Sequence, residues 1–170
     1  MGTAAAKLLM DRFGAKRIAE IPLSDLSYSV VAEEGIIRLP RIEFYASKAA
    51  GRDVIIVVGD DLPPGARSED RYELCGRILD LLERLGCSEV VTVNGMRGEE
   101  TGRVYVAGSG ASEGEGGQRI VGAAGVLLGL AGIRGIRGRC VLVTTSTPQA
   151  EDEKAGHVAY RAVAERLGVG

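Results

Sequence analysis

Five polar side chains of the types used in acid–base or phosphate chemistry directly follow predicted strands. They are Asp60, Asp61, Asn94, Thr145 and Ser146. In an open α/β sheet the carboxyl ends of the strands border the usual ligand crevice, so we expect these side chains to converge there. Carboxylates and hydroxyls in one crevice could serve general acid–base catalysis or hold a phosphate.

A structural role for the same residues competes with this interpretation. Asp, Asn, Ser and Thr also satisfy turn and cap hydrogen bonds at strand ends. No His or Lys lies near them in sequence to act as a base. The sequence therefore favours a protein that is not an enzyme and has no catalytic residues, with ligand binding in the crevice as the alternative.

No cofactor or metal motif is complete. Gly108 and Gly110 begin a G-x-G, but Glu113 stands where a dinucleotide-binding fingerprint requires a third glycine, and no G-K-[ST] of a P-loop occurs. The three cysteines form no C-x-x-C pair, and the single histidine, His157, cannot complete a Cys/His metal set. We expect neither a cofactor nor a metal.

The element expected to position the crevice is the apolar run Val54–Val58. It contains five aliphatic residues with no polar alternation, which is typical of an inner, largely parallel strand covered on both faces. A helical pattern from Tyr72 to Leu85 follows, and then a second strand over Glu89–Val93. This order predicts a right-handed parallel crossover in an α/β fold.

Two further segments have distinct patterns. A hairpin is predicted where Ser29–Ala32 and Ile36–Leu39 flank a turn that contains Gly35. A helix that is apolar on nearly every side is predicted over Ala123–Ala131, which indicates a buried or subunit-interface position. Its Gly125-x-x-x-Gly129 spacing permits tight packing against the sheet or a neighbouring subunit.

Length and charge limit the classes of partner. At 170 residues the chain is expected to form one domain, residues 1–170. A net charge of -2 leaves no basic footprint for nucleic acid or for a membrane surface. The longest nearly uncharged apolar segment is shorter than the roughly 18 residues that span a membrane. Unpaired thiols favour a cytoplasmic protein.

Five stretches follow one another along nearly the whole chain: GIIRLPRIEFY (35–45), 54–63 with Gly59-Asp60, YEL (72–74), GVLLGLA (125–131) and CVLVTTS (140–146). In this order they resemble the proteasome assembly chaperone family, in particular its archaeal homologues of the second eukaryotic chaperone. Each stretch alone is mostly hydrophobic, and the ordered set is what makes the resemblance specific.

The resemblance implies a fold and a function. The fold is a three-layer α/β/α sandwich with a mixed, largely parallel central sheet, similar to the nucleoside phosphorylase/hydrolase architecture. The function is that of a non-catalytic, homo-oligomeric scaffold that binds proteasome α-subunits or the core particle. The alternative is an enzyme or a protein that binds a nucleotide or another small molecule in the crevice at the strand ends.

Overall fold

The computed structural model describes residues 1–26, 29–62, 66–108, 120–146 and 152–169. These ranges contain four helices and eight strands. In chain order they are α1 (Gly2–Phe13), β1 (Lys16–Pro22), β2 (Val31–Glu33), β3 (Ile36–Arg38), β4 (Arg41–Ala49), β5 (Arg52–Gly59), α2 (Ser68–Arg84), β6 (Glu89–Arg97), β7 (Val104–Gly108), α3 (Ala123–Ile133), β8 (Arg137–Thr145) and α4 (Glu153–Leu167).

The described strands form three small sheets. The first is antiparallel and has β4 between β1 and β5. The second is the hairpin of β2 and β3. In the third, β8 lies between β6 and β7 and runs parallel to β6 but antiparallel to β7. Only this third sheet is mixed.

The prediction of a three-layer sandwich with a largely parallel central sheet, similar to the nucleoside phosphorylase/hydrolase architecture, is wrong. Among the described strands, β6 and β8 are the only parallel pair. Strand β5 pairs antiparallel with β4, and β5 and β6 belong to different sheets. The expected parallel crossover from Val54 to Val93 is therefore not formed. What remains of the prediction is a fold of the α/β class.

The reason for the error lies in what an apolar run can specify. The run in β5 shows that both faces of the strand are covered, and Ile56 indeed packs into one apolar cluster while Ile55 and Val57 pack against another. It does not specify the direction of the neighbouring strand. That direction is set by the turn Ala50-Gly51, where φ values of 49° and 76° return the chain from β4 into an antiparallel β5.

The predicted hairpin at Gly35 is present. Glu33 pairs with Ile36, which leaves a two-residue loop of Glu34 and Gly35 with φ values of 51° and 81°. Positive φ at both loop positions is the geometry of a type I′ turn, whose twist matches that of the flanking strands.

The buried apolar residues form two clusters on opposite faces of the strands. Helix α2 covers one face, where Leu79 packs in a cluster with Phe44 of β4. Helices α1 and α4 cover the other face, where Ala159 packs in a cluster with Ile56 and Val141. Strand β8 is buried along most of its length because helices cover both of its faces.

Candidate functional site

Asp60 directly follows β5, and the hairpin occupies its carboxylate. Arg38 donates two hydrogen bonds to it, over 2.6 and 3.1 Å, and the backbone N–H of Arg41 donates a third over 2.9 Å. The hydrogen bonds from Arg38 hold the pKa of Asp60 below its ordinary value, although partial burial opposes the shift. Asp60 is therefore an ionised carboxylate that holds the base of the hairpin against the end of β5.

A cavity of about 520 Å³ opens beside Asp60 and the exposed Asp61. Its walls are mostly apolar side chains of β4, β5 and α2, with Arg71 as the basic residue of the lining, and the start of α3 at Gly122 closes one side. Asn94 borders this region because its side-chain amide donates to the carbonyl oxygen of Val121 over 3.2 Å. The structure thus places Asp60 and Asp61 in the lining of one cavity, whereas Asn94, which lies within β6 and does not follow a strand as predicted, is outside that lining.

Thr145 lies elsewhere. Its side chain points to the same face of β8 as those of Val141 and Val143, which face α1 and α4. The side-chain amide of Asn94 instead faces the start of α3. The Thr145 hydroxyl donates to Asp152, the residue that caps the N-terminus of α4. Ser146 follows Thr145 and is exposed. The carboxyl end of β8 therefore does not join the aspartates in one crevice.

This arrangement defines what the crevice can do. The Asp60 carboxylate already accepts three hydrogen bonds, so Asp61 is the carboxylate that is open to a ligand. In the described ranges, no group of three His, Cys, Asp or Glu side chains is arranged to hold a metal ion. Gly110 and Glu113 of the tested glycine motif lie outside the described residues.

The cysteine thiols are placed within the fold rather than in the crevice. Cys75 and Cys140 are buried, and burial raises the pKa of Cys75 to about 11. Cys87 is partly exposed, and desolvation raises its pKa as well. Thiols with raised pKa values are weak nucleophiles at neutral pH.

A second candidate site is an apolar surface on the hairpin, which sequence reasoning missed. We call Val30, Ile36, Ile37 and Leu39 the hairpin cluster. Ile36 is 70% exposed and its neighbour Ile37 is 71% exposed. Consecutive residues of a strand point to opposite faces, so neither face of the hairpin at this point is covered by the described part of the chain. The adjacent pair Ile36-Ile37 could have indicated this surface from the sequence, because one of two adjacent apolar residues in a hairpin strand must face outward.

The base of the hairpin is fixed by ion pairs. Besides Asp60, Arg38 contacts Glu33 across the hairpin over 3.1 Å. The hydrogen bonds to Asp60 hold the pKa of Arg38 above its ordinary value. The tip, with Glu34 and the two isoleucines, extends beyond this clamp and is exposed. The arrangement suits a contact surface for another protein better than a reaction site.

The comparisons with known proteins agree with the resemblance seen in the sequence. Pyrococcus furiosus PbaB, described as an archaeal proteasome activator, is 30% identical, with a TM-score of 0.86, over 98% of this chain and 78% of that chain. P. furiosus PbaA, described as an archaeal homologue of proteasome-assembly chaperone, is 21% identical, with a TM-score of 0.76, over 98% of this chain and 76% of that chain.

A Mycobacterium tuberculosis proteasome-assembly chaperone homologue is 21% identical, with a TM-score of 0.72, over 99% of this chain and 79% of that chain. At this level of identity the similarity shows the fold alone. No curated protein sequence matches the chain significantly. None of the helices in the described ranges is both long and apolar enough to cross a membrane. The sequence model of the PAC2 family matches residues 1–170, and the chain belongs to the PAC2 family.

Proposed function

We propose that this protein is a non-catalytic, proteasome assembly chaperone-like scaffold of the archaeal type, which binds proteasome α-subunits or the core particle. It acts as a cytoplasmic homo-oligomer formed by a single-domain chain, and its partners are proteins rather than nucleic acid or membranes. Family membership and the 30% identity to PbaB support this proposal. The observation on this molecule that carries it is the hairpin cluster.

The hairpin cluster has the properties of a docking surface. Full burial of an isoleucine side chain is worth about 1.5–3 kcal/mol, so covering Ile36 and Ile37 offers a partner several kcal/mol of binding free energy. Because both faces of the strand are exposed, the partner that gains most is one with a groove that encloses the hairpin. Glu34 at the tip favours a groove with a basic rim.

The test measures co-elution with α-subunits and with assembled core particle from the protein's own organism. We expect the unmodified protein to form a mixed complex, and the double variant Ile36→Ser, Ile37→Ser to bind at least about tenfold more weakly, a change of about 1.4 kcal/mol. Ile18→Ser is the matched control, since Ile18 is also an exposed strand isoleucine, 47% exposed, but lies on β1. Separate elution of the unmodified protein would refute the proposal.

A second candidate function is small-molecule or nucleotide binding in the cavity beside Asp60 and Asp61. Its volume of about 520 Å³ lies in the range of about 300–1,000 Å³ that is typical of ligand sites. A thermal-shift screen with nucleosides, nucleotides and phosphate separates the two functions. A saturable shift that Asp61→Asn or Arg71→Met abolishes would favour this candidate, whereas a scaffold gives no saturable shift.

A further inference from the structure

The cavity beside Asp60 and Asp61 has walls that suit an aliphatic body better than a nucleotide. Six aliphatic side chains line it, and they are Ile42, Val57, Val58, Leu62, Leu74 and Ile78. Among the described residues of the lining there is no aromatic ring on which a nucleobase could stack, and no hydroxyl or amide side chain that could hold a ribose. Polar groups of a ligand that are buried without hydrogen-bond partners cost binding free energy.

Arg71 stands at one end of this apolar wall. It lies on the same face of α2 as Leu74 and Ile78, at positions i, i+3 and i+7, and it is partly buried. The arginines before and after it in the chain, Arg67 and Arg77, are both held in ion pairs. The Arg71 guanidinium has no such partner in the described part of the chain. The wall therefore ends in a cation that is open to an anionic ligand.

The two aspartates do not neutralise this cation. The Asp60 carboxylate is occupied by Arg38, and Asp61 is exposed, so that solvent screens its charge. The start of α3 also belongs to the lining, through Gly122 and Ala123. Its first turn contains no acidic side chain, and no side chain caps it. The partial positive charge of this helix end adds to the full charge of Arg71.

We infer that the cavity binds a small aliphatic monocarboxylate, whose carboxylate pairs with the Arg71 guanidinium and whose chain lies along Leu74 and Ile78. The inference rests on the small-molecule binding proposed above as the second candidate function, and it names the ligand class. A guanidinium can hold a carboxylate through two parallel N–H···O hydrogen bonds. From Arg71 to Ile78 the helix rises by roughly 10 Å, which leaves room for an extended chain of medium length.

The first experiment is isothermal titration calorimetry of the unmodified protein with octanoate, octanol and octylammonium, which share the chain and differ in charge. We expect saturable binding of octanoate, and binding of the other two that is at least about tenfold weaker, because only a carboxylate forms the charge-assisted hydrogen bonds to Arg71. Hexanoate should bind about fifteenfold more weakly than octanoate, since each buried methylene contributes about a fourfold change in affinity.

Four variants assign the binding to the cavity. Arg71→Met keeps an unbranched apolar stem but removes the charge, so the difference in affinity between octanoate and octanol should disappear. Arg84→Met is the matched control, because Arg84 lies in the last turn of the same helix and outside the lining, and it should bind octanoate normally. Asp61→Asn should tighten octanoate binding, since it removes a like charge from the rim. Ala123→Phe, at an exposed position of the lining, should block both ligands without unfolding the protein.

The outcomes separate the inference from the proposed function. Tighter binding of octylammonium than of octanoate, or equal effects of Arg71→Met and Arg84→Met, would overturn the inference. Saturable binding of a nucleotide without binding of octanoate would overturn the ligand class and leave the second candidate function in place. If none of these compounds binds, both the inference and the second candidate function fall, while α-subunit binding is decided by co-elution.

Discussion

The ion pair between Arg38 and Asp60 is expected to be a main attachment of the hairpin to the rest of the protein. Replacing Asp60 by Ala removes an acceptor of three hydrogen bonds and leaves both the Arg38 guanidinium and the Arg41 N–H without that partner. Both side chains of the pair are only 22% exposed, so solvent replaces these interactions poorly.

The magnitude follows from the type of interaction. A hydrogen bond to a charged group contributes about 1.5–3 kcal/mol, and breaking a fully buried ion pair costs about 3–5 kcal/mol. Because this pair is partly solvated and Arg38 keeps its contact with Glu33, we expect Asp60→Ala to lower the free energy of unfolding by about 2–4 kcal/mol. Asp60→Asn retains an acceptor for Arg41 and should cost about 1–2 kcal/mol.

Urea denaturation of a double-mutant cycle with Arg38→Met isolates the pairwise energy, which we expect to be about 1–3 kcal/mol. Asp53→Asn is the matched control, because Asp53 pairs with Lys48 where both side chains are more than 80% exposed, and it should change stability by no more than about 0.5 kcal/mol. A coupling energy near zero, or an Asp60→Ala cost no larger than that of the control, would refute the reasoning.

The same pair predicts a dependence on pH. The pKa of Asp60 is lowered in the folded protein, so its stabilisation is fully present above the ordinary carboxyl pKa of about 4 and is lost as pH falls through the folded-state value. The stability difference between the unmodified protein and Asp60→Asn should therefore shrink as the pH falls below about 4. A difference that stays constant down to strongly acidic pH would contradict this assignment.

Two further predictions concern packing and thiol reactivity. Gly76→Ala should raise the free energy of unfolding by up to about 1 kcal/mol, because the new Cβ in α2 meets only the end of the Arg134 side chain, at 3.7 Å. Gly156→Ala, the same change within α4, should lower the free energy of unfolding by about 1–3 kcal/mol, because its Cβ would lie 2.8 Å from that of Ala4. Equal changes for the two variants in chemical denaturation would refute this reasoning. A thiol reagent should modify Cys87 slowly in the folded protein and the two buried cysteines only after unfolding, and early labelling of all three would contradict the burial that raises their pKa values.

Local backbone chemistry is the part of the fold that the sequence predicts best. Gly35 between two apolar segments predicts the hairpin, because a type I′ turn needs a positive φ that few residues other than glycine adopt readily. The helix that contains Leu79 follows from its apolar spacing. The partner of β5 could not be predicted, because its apolar run is compatible with a parallel or an antiparallel neighbour as long as helices cover both faces.

The candidate crevice could be predicted only in part. Asp60 and Asp61 both line the cavity beside the start of α3. Asn94 lies within β6 and not at its end, and only its hydrogen bond to Val121 connects it with this region. The sequence could not show which face of β8 the Thr145 side chain points to. Alternation along the strand decides the face, and the sequence locates the end of a strand only to within a residue or two. Ligand binding by this crevice stays a prediction.

The separation of β5 from β6 has a mechanical consequence. In the described part of the chain, no backbone ladder joins these two strands, and α1, which packs against both, connects the two sheets through side-chain contacts. A ladder of backbone hydrogen bonds resists the sliding of one strand past another, because any such displacement breaks a row of directional bonds. Packed side chains permit small shear displacements. We therefore expect the protein to be stiff within each sheet and compliant between them, so that a load on the hairpin side reaches β8 through packed side chains and not through a backbone ladder.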